Sequence, residues 1–82
     1  MATDKRVLRS IETVDGSKCV DLFIRTDGTH GFEEYRRDVE DARGWFPIGR
    51  YAYLLYATEN EARSAAIATV PWLHERVTPA LP

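Results

Sequence analysis

Two Asp-Gly pairs, Asp15-Gly16 and Asp27-Gly28, constrain this chain more than any other feature. Each lies between alternating or β-branched residues. In that setting Asp-Gly is the strongest short-range hairpin signal, because a tight reversal needs residues that tolerate positive φ. Two successive hairpins make a three-stranded antiparallel meander, with strands expected over residues 6–14, 17–26 and 29–37.

The pairing follows from loop length. A two-residue turn at Asp15-Gly16 sets Ile11 opposite Val20, Arg9 opposite Leu22 and Val7 opposite Ile24, so apolar residues meet across the ladder. A two-residue turn at Asp27-Gly28 sets Val20 opposite Tyr35 and Phe23 opposite Phe32, but also Asp21 opposite Glu34, a like-charge pair. A three-residue loop with a bulge removes that clash and shifts the face of the third strand. With two-residue turns, one face carries Val7, Ile11, Val20, Leu22, Ile24 and Tyr35, and serves as the core. The other carries Leu8, Cys19, Phe23 and Phe32, a patch that a loop, the Trp45-Phe46 segment or a second copy of the chain should shield.

Downstream, residues 38–43 read as a polar acidic loop ended by Gly44. Residues 45–48 suit a short edge strand, since Pro47 cannot donate to a ladder from a central position. Residues 51–57 are aromatic and apolar throughout, and are expected to form a buried extended segment. Thr58-Glu59-Asn60-Glu61 is a capping box that opens a helix over residues 59–70. Ala62, Ala65, Ala66, Thr69, Val70 and Leu73 form its apolar stripe, with Glu59, Arg63 and Ser64 opposite. Pro71 either kinks the helix or restarts it as a short turn over 71–76 that folds Trp72 or Leu73 under the sheet. The fold class expected is therefore α+β: a three- or four-stranded antiparallel meander with a C-terminal helix on one face, a single domain over residues 1–77 and a disordered tail over 78–82.

Composition excludes several functions. With 82 residues and 44% hydrophobic content there is material for one modest core, and a domain of this size buries only about 60% of the surface its unfolded chain exposes. Self-association would widen that thin margin. The single cysteine, Cys19, rules out an internal disulfide and fits a reducing, cytoplasmic compartment. No signal-peptide core and no membrane-length apolar run is present. A formal charge of −2, from interspersed acids and bases, disfavours nucleic acid and anionic lipid as partners.

The individual chemical groups favour structure over catalysis. Cys19 lies in a strand with no adjacent base or helix N-terminus to make a thiolate. His30 and His74 belong to no metal-ligand spacing, and Asp38, Glu40 and Asp41 lack the pattern of a calcium loop. Glu33 and Glu34 are strand neighbours and point to opposite faces. Arg36 and Arg37, with Arg9 and Arg50, could form an anion-binding strip, but acids are interspersed among them. No cofactor motif occurs. The most distinctive stretch is Gly44-Trp45-Phe46-Pro47-Ile48-Gly49-Arg50-Tyr51, whose aromatic and arginine side chains suit either a lid on the sheet or a partner surface.

Asp27-Gly28 before Gly31-Phe32-Glu33-Glu34-Tyr35-Arg36-Arg37, then Gly44-Trp45-Phe46-Pro47, Thr58-Glu59-Asn60-Glu61-Ala62 and Pro71-Trp72-Leu73, together resemble a group of small uncharacterised bacterial proteins. That resemblance implies an antiparallel sheet with a C-terminal helix and implies no activity. The functional expectation is a non-enzymatic protein-interaction module, homodimeric or bound to another protein, with a surface drawn from Phe23, Phe32, Arg36, Trp45, Phe46, Arg50 and Tyr51. The alternative is a small-ligand or anion-binding protein using Arg36, Arg50 and the nearby tyrosines.

Overall fold

A computed structural model describes residues 5–38, 40 and 44–77. Both Asp-Gly pairs reverse the chain, through loops of different length. Between β1 (Lys5–Glu12) and β2 (Lys18–Arg25) the loop has an even number of residues, closed by Thr13 N–H donating to the Lys18 carbonyl at 2.9 Å. An even loop preserves the expected parity, and Ile11 stands opposite Val20 and Arg9 opposite Leu22. Beyond Arg9 a bulge intervenes, so Val7 meets Phe23 rather than Ile24 and moves to the other face.

The second reversal, from β2 to β3 (His30–Arg36), takes the three-residue form. Arg25 N–H donates to the Thr29 carbonyl at 2.8 Å, and Gly28 occupies the left-handed region at φ 90. One extra loop residue slides β3 by one position, which sends alternate side chains to opposite faces. Leu22 now faces Phe32, Cys19 faces Tyr35, and Phe23 faces Gly31. Phe32 thus joins the core, and Tyr35 leaves it. The acidic clash persists in altered form, as Asp21 opposite Glu33. It is relieved by separate partners: Asp21 accepts the Ser10 hydroxyl at 2.6 Å and the Cys19 thiol at 3.2 Å. The Glu33 carboxylate is buried and accepts the backbone N–H groups of Glu34 and Tyr51, at 2.8 and 3.1 Å.

β4 (Phe46–Pro47) completes an antiparallel sheet of order β1-β2-β3-β4. Pro47 sits on the edge, opposite Tyr35, where its missing N–H is harmless. Residues 51–57 do not form the buried extended segment expected of them. Arg50 turns the chain with φ 57, Leu54 N–H closes a turn onto the Tyr51 carbonyl, and only Tyr56 bridges back to His30. The Arg25 guanidinium holds that turn by donating to the carbonyls of Ala52 and Leu54, which leaves Tyr53 76% and Leu55 63% exposed. These carbonyls bind a side chain instead of a strand.

The C-terminal elements follow from their caps. The Thr58 hydroxyl accepts Glu61 N–H at 3.1 Å to open α1 (Glu59–Thr69). Glu61 reaches back to Ala57 N–H, one residue beyond the usual reciprocal partner. Val70 is extended ahead of Pro71, and Pro71 starts α2 (Pro71–Val77), where a missing N–H costs nothing. The helix therefore restarts rather than kinks. Ala62, Ala66, Val70 and Leu73 are buried against Val20, Leu22 and Phe32, while Thr69 is exposed and leaves the stripe. Small alanines let α1 approach the sheet closely. No helix among the described residues is long and apolar enough to cross a membrane. The expected tail over 78–82 and Asp41 of the acidic loop lie outside the described residues.

Candidate interaction surfaces

The seven residues expected to form a surface are divided between core and exterior. Phe23 and Phe32 are 1% and 0% exposed and offer nothing to a partner. Phe32 packs on Tyr51 and Tyr56 with ring centroids 5.1 and 6.1 Å apart, which places Tyr51 at the core as well. Phe23 lies on the face away from the helices, under long side chains: Lys5 Nζ is 4.4 Å and the Arg25 guanidinium 4.9 Å from its ring centroid. Gly31, directly opposite, makes room for it, since a Cβ there would stand 2.8 Å from the Phe23 ring.

The same face is closed differently at its other end. Trp45, half-buried, lines a depression of about 330 Å³ with Ser10, Glu12, Cys19, Asp21 and Tyr35. Arg37 stacks on the Trp45 ring at 4.6 Å while its Nε donates to the Gly16 carbonyl at 2.9 Å, so the first hairpin turn anchors the lid. Burial pushes the Cys19 thiol up to about 12, helped by its hydrogen bond to Asp21 and the charges of Asp21 and Glu12. Burial and the charges of Asp21 and Glu33 raise the Tyr35 phenol in the same direction. A thiol so held stays protonated and is a poor nucleophile.

At the β4 edge, Arg36, Asp38, Phe46 and Ile48 line a second depression, of about 310 Å³. Phe46 and Ile48 alternate with Pro47 and remain 43% and 44% exposed. Arg36 stands opposite Phe46 in the ladder. Two of the expected surface residues thus meet, and Ile48 joins them from the same stretch. Arg50 is exposed on the bend beyond and does not line this depression. Trp45 belongs to the opposite face. The proposed strip of Arg9, Arg36, Arg37 and Arg50 is not assembled: Arg9 is on β1 at the far edge, and Arg37 is committed to Trp45 and Gly16.

A third region was not legible as a site. Arg9, Ser10, Ile11, Glu12, Arg63 and Arg76 line a groove of about 310 Å³ along β1, built from β1, α1 and α2. The sequence separation of its three arginines hides their proximity. Among the described residues no group of three or more His, Cys, Asp or Glu side chains is arranged to hold a metal ion. Searches for a matching family model, a similar curated protein and a similar solved structure found none.

Proposed function

We propose that the chain is a non-enzymatic protein-interaction module that engages protein through its β4 edge, with self-association as the first use of that edge. The observation that carries this is the pair Phe46 and Ile48, each more than two fifths exposed, beside Arg36 around one depression. An aromatic residue beside an arginine matches the enrichment of protein interfaces in Phe and Arg. Two further facts support a binding role over chemistry. The Cys19 thiol is held protonated, and the buried Glu33 carboxylate is spent on two backbone amides.

The anion-binding alternative is the weaker reading: Tyr51 and Tyr56 pack on Phe32 and Tyr35 faces away from Arg36, which leaves Tyr53 as the exposed tyrosine beyond Arg50. Sedimentation velocity at micromolar concentration tests the self-association. The wild-type chain should show a mass that rises with concentration, and Phe46→Ser with Ile48→Ser should return it to one chain without lowering the thermal midpoint. A wild-type chain that stays monomeric over that range removes the self-association reading. If, in addition, the double variant is no more soluble than the parent, the β4 edge loses its claim as a surface.

A further inference from the structure

We propose that the outer edge of β1 receives an extended acidic segment of another protein as a fifth strand, held by Arg9, Arg63 and Arg76. The proposal is independent of the β4 reading, since it uses the opposite edge of the sheet.

β1 begins the strand order, and among the described residues no strand pairs with its outer side. The register fixes which backbone groups are available there. Thr13 N–H bonds inward to Lys18, so Ile11 and Arg9, two and four residues earlier, also face β2 through their backbone groups. Ser10 and Glu12 accordingly turn their backbone N–H and C=O outward. Among the described residues, Arg76 Nε donates to the outward Glu12 carbonyl at 2.7 Å. The bulge between Val7 and Arg9 interrupts the edge further along, which confines a docked strand to residues 9–12.

Charge then selects the occupant. Three guanidiniums from three elements converge on the groove, in a chain whose formal charge is −2. The acids facing them are Glu12, in the lining, and Glu59, 3.6 Å from Arg9 in an exposed pair of little strength. Among the described residues Arg63 has no ion-pair partner. Guanidiniums beside open ladder positions suit carboxylate side chains on an added strand, where main-chain bonds supply affinity and side chains supply selectivity. A second copy is a poor occupant, because pairing β1 with β1 brings two sets of the same arginines together.

The test uses the full chain and a short fluorescent peptide of alternating Glu and Val, read by anisotropy. Binding should weaken about tenfold or more in Arg63→Glu/Arg76→Glu, and added salt should weaken it for the wild type. Hydrogen exchange should slow at the Ser10 and Glu12 amides when peptide is present. A thermal melt of the double variant shows whether it folds; if it does not, the salt series and the exchange data on the wild type decide. The proposal is overturned by any of four results: no binding at about 1 mM peptide, equal binding of a Lys-Val peptide, equal binding of the acidic peptide with alternate positions replaced by proline, or equally tight binding of single-stranded oligonucleotide. Equal binding of the proline peptide would reduce the groove to a non-specific charge attraction, and equal oligonucleotide binding would assign it to phosphate.

Discussion

The two faces of this sheet solve the same problem by different means. On one, α1 and α2 lay Ala62, Ala66, Val70 and Leu73 over Val20, Leu22 and Phe32, and every one of these is at most 1% exposed. On the other, no helix of the described residues packs, yet Phe23 is as buried as Phe32. Its cover is Lys5 and Arg25 at one end and the Trp45-Arg37 stack guards the other. A helical layer shields by interdigitation, which is rigid and close-packed. Long cationic side chains shield by laying their stems over the ring; here Arg25 is tied down through its guanidinium to the carbonyls of Ala52 and Leu54, while Lys5 covers the ring from a strand end.

That difference predicts unequal costs for the same truncation. Phe32→Ala should fall at the upper end of about 3–5 kcal/mol and Phe23→Ala at the lower end, because the Lys5 stem can settle into the space while α1 cannot. Urea denaturation of both variants measures it. Equal losses would show that the two covers are equally rigid and break the comparison. The next effect sharpens it from the sheet side. Gly31→Ala places a Cβ 2.8 Å from the Phe23 ring and 2.9 Å from Arg25 Nη2, and overpacking of this kind costs about 1–3 kcal/mol. Adding Phe23→Leu to Gly31→Ala should recover part of that loss; if it does not, the strain lies in the Arg25 contact rather than in the ring contact.

These faces also show what could be read from the sequence. The first hairpin was legible down to the pairing of Ile11 with Val20, because an even loop preserves parity whether it holds two residues or four. The second hung on a single residue. Asp27-Gly28 serves a two-residue and a three-residue loop alike, and the choice decided whether Phe32 or Tyr35 entered the core. The bulge beside Leu8 left no trace either, since Val7 and Leu8 are both apolar and either can fill an inward position. The helix was legible because capping and alanine spacing are local, although Thr69 shows that a stripe drawn on spacing alone is wider than the contact. The β4 edge was visible in composition as a run of aromatic residues around Pro47. The β1 groove was not, because Arg9, Arg63 and Arg76 meet only through tertiary packing.

The helical cover depends on its anchor at the N-terminus. Thr58→Ala removes the acceptor for Glu61 N–H and should cost about 1 kcal/mol, with the loss confined to the covered face. Hydrogen exchange should therefore accelerate first at the Glu61 amide and its neighbours, and leave the Trp45 environment unchanged. A change in the Trp45 signal of a Trp72→Phe background would mean that the two faces are coupled.

The smallest effect tests the open face through its turn. Asp15 accepts the Thr13 hydroxyl, the Ser17 N–H and the Ser17 hydroxyl, and these bonds hold its carboxyl down to about 2 from the ordinary 3.8. A carboxylate lowered on folding stabilises the native state above its unfolded value. That contribution disappears as pH falls through the folded one. The window is therefore between about pH 4 and pH 2. Asp27, lowered by its bonds to Thr29, titrates in the same direction at the other turn. What separates the two is the Gly16 carbonyl, which holds Arg37 over Trp45. Acidification through that window should loosen this turn and shift Trp45 emission in a Trp72→Phe background before the thermal midpoint of the whole domain falls far. In Asp15→Asn the acid-dependent part of the shift should shrink. An unchanged shift would detach the Trp45 lid from the first turn, leaving Arg37 without the anchor that this geometry gives it.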